Sequence, residues 1–241
     1  MKGYEPVSLI FLAYNEAGTI EKEILSFHEK IIAKIPGSEF IVAEDGSTDG
    51  TTKIIQRLVR EKGIIHMTSK ERKGYIKALV DAVLAAKNEY IFFSDTGLKN
   101  DPEDFWKIYE HRKEYDLIVG RKTNRQDQFY RKFLTYAYNM FLRLYFNLGS
   151  VYDSDCGFRL FNGRVVNEVF KKKIIFTDLV GSEIVIRSIF KGLKYHEVPI
   201  SYFRREGSSR GLPLKKIPSV ILKLKKNLVM LKKEINIEGI L

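Results

Sequence analysis

The strongest constraint on the fold is an alternation in the first half of the chain. Short apolar runs at Val7–Ala13, 40–43, 64–67, 90–93 and 117–119 are rich in β-branched and aromatic residues and end in turn chemistry, as buried strands do. Between them, Ile20, Ile24, Phe27 and Ile31 share one face at helical spacing, as do Ala78, Leu79, Ala82, Val83 and Ala86. Strand, helix, strand, repeated, predicts an α/β fold with a mixed, mainly parallel sheet and helices on both faces. In such sheets ligands bind beyond the carboxyl ends of the strands, so the loops there are the ones to search for chemistry.

The second half departs from this rhythm. The segment 129–148 is aromatic and apolar almost all round, with Arg131, Lys132 and Arg143 as its charges, which suits either double burial or contact with lipid. An extended segment near Gly157, a helix over 178–190 and a strand over 195–202 follow. From Leu214 onward, Ile217, Ile221, Leu224, Leu228, Leu231 and Ile235 recur at three-four spacing beside seven lysines, predicting a basic amphipathic helix. Its stripe has three readings: packing on the chain's own core, pairing with a second copy, or lying on a bilayer.

At 241 residues and 44% hydrophobic content the chain can bury one substantial core. One domain over 1–212 is expected, its two halves at 1–120 and 121–212, with the basic helix over 213–241. Forty-one Lys and Arg against 30 Asp and Glu give a net charge of +11, a field that draws phosphates of any kind. Nucleic acid is not expected as partner, because no recognition motif accompanies the charge. The single cysteine, Cys156, excludes an intramolecular disulfide and is expected to be a packed small residue, in a cytoplasmic setting. No apolar N-terminal segment of secretory type is seen, and no stretch approaches the ~18 apolar residues of a spanning helix, so membrane contact is expected to be peripheral.

Three loops concentrate functional groups. After the first strand stand Ala13, Tyr14, Asn15 and Glu16, an aromatic ring, an amide and a carboxylate placed to meet a planar base; Thr19 would cap the next helix. After the second, Glu44-Asp45-Gly46-Ser47-Thr48-Asp49-Gly50-Thr51 gathers carboxylates, hydroxyls and glycines; Asp45 is the candidate base acceptor, Gly46 allows close backbone approach, and Asp49 reads as a helix cap. After the fourth come Ser94, Asp95, Thr96, Gly97 and, before Pro102, the capping Asp101. Each loop alone also reads as an ordinary strand-to-helix turn. No P-loop or GxGxxG pattern occurs, which disfavours kinases and dehydrogenases.

Taken together, Tyr14-Asn15-Glu16 and the acidic loop about thirty residues later resemble the large inverting glycosyltransferase family with the GT-A, Rossmann-like fold. That resemblance implies a nucleotide-sugar half followed by an acceptor half. It places Ala13, Tyr14, Asn15, Glu16, Asp45, Gly46, Lys73, Gly74 and Ser94 around a nucleotide-diphosphate sugar. It also puts Asp95 at the first carboxylate of a DxD motif that holds Mg²⁺ or Mn²⁺ against the diphosphate, where the second carboxylate is replaced by Gly97. Lys73 also reads as part of a solvated charge cluster.

Further along, Gly120-Arg121, Arg131, Asn139, the run Asp153-Ser154-Asp155-Cys156-Gly157-Phe158-Arg159, Glu197-Val198-Pro199-Ile200 and Arg205 to Arg210 narrow the likeness to dolichyl-phosphate mannose synthase and related polyprenyl-phosphate glycosyltransferases. The acceptor so implied is a polyprenyl or dolichyl phosphate, already anionic and needing cationic positioning more than a base. Arg121, Arg131, Arg205 and Arg210 are the expected forks for it. For a hydroxyl acceptor, Asp153 ranks ahead of Asp155 as base, and Glu183 reads as an orienting carboxylate or as the partner of Arg187. A homodimer or a membrane partner protein remains an expected means of reaching lipid.

Overall fold

In the computed structural model the described residues are 3–123, 129–203 and 217–237. The chain runs β1 (Val7–Ala13), α1 (Ile20–Lys30), a 3₁₀ turn (Ile32–Lys34), β2 (Glu39–Glu44), α2 (Thr51–Lys62), β3 (Ile65–Thr68), α3 (Tyr75–Ala85), β4 (Tyr90–Asp95), α4 (Asp104–Tyr109) and β5 (Leu117–Thr123). It continues through α5 (Phe129–Phe146), β6 (Phe158–Asn162), α6 (Gly163–Val165) with a π-helical turn (Val166–Phe170), α7 (Val180–Phe190), β7 (Tyr195–Ser201) and α8 (Ile217–Ile237).

These strands form one seven-stranded sheet in the order β3-β2-β1-β4-β6-β5-β7. β6 is antiparallel to both β4 and β5, and the other pairings are parallel. The expected mainly parallel α/β sheet is therefore what the chain forms. The antiparallel insertion is the feature that strand periodicity does not announce: β6 runs back between β4 and β5, so its first residues meet the carboxyl end of β4. The amide of Asp95 accordingly donates to the carbonyl of Gly157 at 2.6 Å.

Burial follows the apolar stripes. Phe11 in β1 packs edge-on against Phe27 of α1 and Phe40 of β2, each at 4.9 Å between ring centroids, and Phe92 of β4 does the same with Phe105 and Phe158. Such pairs add about 0.5–1.5 kcal/mol each beyond burial of area. Cys156 is buried, and desolvation pushes its thiol up to about 12, in keeping with a packed small residue.

Helix α5 buries Asn139, Leu142 and Phe146 on one side and exposes Phe133, Tyr136, Phe141 and Leu144 on the other. Helix α8 inserts Leu228, Leu231 and Ile235 into the core while leaving Ile221, Leu222 and Ile237 exposed. The C-terminal part of the predicted stripe thus packs on the chain's own body; Leu214 lies outside the described residues. Two polar contacts fix this docking: Arg187 of α7 pairs with Glu234 at 2.8 Å, and Lys232 donates to the carbonyl of Tyr145 at 3.1 Å. Among the described residues no helix is long and apolar enough to cross a membrane.

Candidate active site

Two loops from the first half are laced together at the carboxyl end of the sheet. The amide of Asn15 donates to Ser47 Oγ (3.0 Å) and Asn15 Oδ1 accepts from the amide of Thr48 (2.8 Å). The amide of Glu16 donates to Thr51 Oγ1 at 2.8 Å, and that of Ala17 to Asp49 at 3.1 Å. Asp49 also accepts from the amide of Thr51, the first residue of α2, but the cap position of that helix is held by Gly50 and not by Asp49. Thr19 occupies the expected cap position before α1 but makes no side-chain cap bond; its hydroxyl contacts Glu16 instead, at 3.2 Å. The resulting double loop presents Ala13, Tyr14, Glu16 and Asp45 to a cavity of about 790 Å³.

Asp45 is 6% exposed, and its carboxylate accepts from the amides of Lys73 (2.6 Å) and Gly74 (2.9 Å), fixing the loop before α3. Arg72 lies above the Tyr14 ring, its guanidinium carbon 4.0 Å from the centroid, and 3.8 Å from Asp45. Gly46 lets the backbone of residues 71–72 approach, since a Cβ there would meet the Arg72 amide nitrogen at 3.2 Å. The Lys73 side chain turns to Asp81 (3.4 Å), and Lys73 and Gly74 line a neighbouring groove rather than the main cavity.

Asp95 stands on the cavity wall and receives the Tyr75 hydroxyl on Oδ1 at 3.2 Å. Ser94 is buried and bonded to Asn100 Nδ2 (3.1 Å), bracing the loop from beneath. Gly157 faces Asp95 so closely that a Cβ there would overlap the carboxyl group. Gly97 has φ of +105° and Leu98 +55°. The first value is strained for any side chain, which explains why no second carboxylate occupies position 97.

Asp155, Arg159 and Gly181 also line the cavity. Asp155 Oδ1 accepts from the amide of Gly181 at 3.0 Å. Desolvation pushes its carboxyl up to about 6, with Asp95 and Asp153 adding to the shift and Arg159 and Lys122 opposing it. Arg159 donates through Nε to the carbonyl of Cys156 at 3.0 Å. Asp153 lies off the cavity wall: Lys122 contacts it through its amide (3.1 Å) and its ammonium (3.3 Å).

The cations predicted for the acceptor divide. Arg121 stands 5.6 Å from the Tyr152 ring centroid, with Arg143 on the same ring at 5.1 Å, and neither lines the cavity. Arg131 bonds the hydroxyl of Tyr130 at 3.2 Å. Arg205 and Arg210 lie outside the described residues. Cavity cations that the sequence reading did not assign are Arg72, Lys99, Arg159 and, from α8, Lys223 beside Ser219 and Val220. Nothing in the amphipathic pattern of α8 indicates that its first turns line a cavity shared with the loops after β1, β2 and β4. Glu183 is fully buried; it accepts from the amides of Ile175 and Phe176 and pairs with Arg187 at 2.7 Å, a structural role away from the cavity.

Among the described residues no three Asp, Glu, His or Cys side chains are grouped to ligate a metal. Five carboxylates, Glu16, Asp45, Asp95, Asp155 and Asp178, line the cavity, and of these Asp95 acts electrostatically on Asp155. Hard oxygen donors of this kind, completed by diphosphate oxygens and water, fit Mg²⁺ or Mn²⁺.

A mainly parallel sheet with one antiparallel insertion and acidic loops at its carboxyl edge defines the GT-A class of nucleotide-sugar enzymes. The family model described as glycosyl transferase family 2 matches residues 8–170, and the chain belongs to that family. It is 32% identical over 211 residues to glycosyltransferase AglD of Haloferax volcanii, covering 81% of this chain and 33% of that protein. Dolichyl-phosphate beta-glucosyltransferase of Saccharomyces cerevisiae is 24% identical over 94% of this chain and 74% of its own length. Undecaprenyl-phosphate 4-deoxy-4-formamido-L-arabinose transferase of Pectobacterium atrosepticum is 27% identical over 68% of this chain and 51% of its own length. The chain therefore spans between a third and three quarters of these relatives. In fold it is similar to glucosyl-3-phosphoglycerate synthase of Mycobacterium tuberculosis, crystallised with Mn²⁺, UDP and product: the TM-score is 0.71 at 18% identity, over 93% of this chain and 80% of that one.

Proposed function

We propose that this chain transfers a hexose, with inversion, from a GDP- or UDP-sugar to a polyprenyl or dolichyl phosphate at the cytoplasmic face of a membrane. The observation that carries the reading is the convergence of Tyr14, Asp45, Asp95 and Asp155 on one cavity, in a family whose relatives are named for transfer to lipid phosphates. The base would lie against Tyr14, in the space flanked by Arg72, with Asp45 below it. Asp95 and Asp155 would hold a divalent ion, which would neutralise the leaving diphosphate. Arg159 and Lys223, both on the cavity lining, would draw an anionic acceptor oxygen toward the sugar carbon.

Contact with the bilayer falls to α5 and α8. Both expose large apolar side chains, and every charged residue on the two helices except Glu234 is Lys or Arg. Glu234 is committed to Arg187. A surface so composed suits an anionic lipid face.

One observation favours a second reading, transfer to a hydroxyl. Arg121 and Arg131 stand off the cavity, while Asp155, a carboxyl with affinity for a proton near pH 6, faces into it as a base would. One assay separates the two: radiolabelled GDP-mannose, GDP-glucose, UDP-glucose and UDP-GlcNAc are supplied with Mn²⁺ and polyprenyl phosphate in anionic vesicles. Label entering an acid-labile lipid product supports the phosphate acceptor. Donor turnover without lipid labelling, restored by a glycan acceptor, would replace it with the second reading. No turnover of any donor would leave only a binding domain.

A further inference from the structure

Glu23 is a buried carboxylate that the proposed chemistry leaves unused. It belongs to the inward face of α1, between Ile20 and Phe27, and is 1% exposed. Burying a carboxylate among apolar side chains is costly unless its oxygens are satisfied. Both are: Oε2 accepts from the amide of Gly97 at 2.8 Å and Oε1 from the amide of Leu98 at 3.1 Å. Those two residues are the consecutive left-handed positions of the loop that follows Asp95. Strained backbone of this kind persists only where its surroundings over-determine it. Here Thr96 adds a bond to the carbonyl of Leu12 (3.0 Å) and Asn100 one to Ser94, but the amides of Gly97 and of the strained Leu98 themselves rest on Glu23.

We propose that Glu23 is a positioning residue for nucleotide-sugar binding: by holding the amides of Gly97 and Leu98 it fixes the turn that aims Asp95 into the cavity. The inference rests on the reading of that cavity as the donor site. It also gives the loop a rationale at position 97, where glycine surrenders a possible ligand but permits a conformation that a carboxylate from another helix can lock. A protonated Glu23 offers one acceptor fewer to the two amides, so the clamp belongs to the ionised form. Desolvation raises this carboxyl to about 7, so the switch lies within an accessible pH range. The two amides act to lower it; of the charges facing it, Glu16 from the β1–α1 loop raises it and Lys99 from the loop after β4 lowers it.

The test is binding of GDP and UDP, each with Mn²⁺, to the full chain by calorimetry from pH 8 to pH 6. For the wild type, affinity is expected to fall about tenfold over this range, the scale on which supporting partners of a metal site act. Glu23→Gln, which keeps shape and one acceptor but turns an amide donor against the second N–H, is expected to bind about tenfold more weakly at pH 8. Its profile is expected to be flatter than the wild type's, with a melting temperature close to the wild type's. Wild-type affinity and pH profile in Glu23→Gln would overturn the inference while leaving the donor site intact. Should the variant fail to fold, wild-type affinity that does not weaken toward pH 6 overturns it equally. Failure of the wild type to bind either nucleotide at any pH would overturn the reading of the cavity itself, and the inference with it.

Discussion

The two halves of this molecule hold their carboxylates in different ways. In the half from β1 to β4, Asp45, Asp49 and Glu23 accept backbone amides from neighbouring loops, so each carboxylate shapes a turn. In the half from β5 to α8, Asp153, Asp155, Glu183 and Glu197 accept amides too, but Asp153, Glu183 and Glu234 also pair with side-chain cations. The first arrangement fixes loop backbone at the carboxyl edge of the sheet; the second ties helix to helix, α7 to α8 above all. Exposed apolar surface follows the same division, concentrated on α5 and α8. The lesson is that one half sets loop backbone with its carboxylates, and the other braces helices whose exteriors are apolar and cationic.

The contrast is most exposed to failure at Asp95. Asp95→Ala removes a wall carboxylate and the acceptor of Tyr75 while leaving the loop backbone bonded to Gly157 and Glu23. Transfer is expected to fall by about 10³-fold or more, with near-wild-type stability, in a sugar-transfer assay paired with thermal melting. Full activity in this variant would remove metal chemistry from the account.

Arg187→Ala should act in the opposite sense. It strands the fully buried Glu183 without its cation and releases α8, at a cost of about 3–5 kcal/mol in urea unfolding. Early proteolytic cleavage within α8 is expected alongside. A loss below about 1 kcal/mol would show that the packing of Leu228, Leu231 and Ile235 holds α8 without the ion pairs.

The smallest expected effect is at Asp155. Its folded value of about 6 lies above the ~3.9 of an unfolded aspartate, so between those values the native state carries the additional proton. Stability without added metal should therefore fall as pH rises through that window, and the penalty should be fully present above it. Asp155→Asn is expected to add about 1–2 kcal/mol at pH 7.5, with the gain shrinking toward pH 4, in denaturant melts across pH. A gain independent of pH would mean that packing, not charge, sets the difference.

Much of this architecture is legible in the chain. The five strands of the first half follow from short apolar runs because a sheet covered on both faces demands them, and the loops after β1 and β2 stand out by their glycine, hydroxyl and carboxylate spacing. Asp45 and Asp95 are found in this way, each at the end of a strand. The loop partnership between Asn15 and Ser47, thirty-two residues apart, follows only once β1 and β2 lie side by side.

What tertiary structure alone decides is where the second half sends its side chains. Local periodicity contains no information about the antiparallel passage of β6, yet that passage puts Gly157 against Asp95 and turns Asp155, rather than Asp153, to the cavity. The same holds for α8: its stripe dictates that one face be covered, but packing against α5 and α7 determines that Lys223 reaches the cavity. Sequence fixes which residues seek burial or charge because that is a property of each side chain and its near neighbours. Which of them meet is settled by contacts between segments far apart in the chain, and those exist only when the sheet has closed.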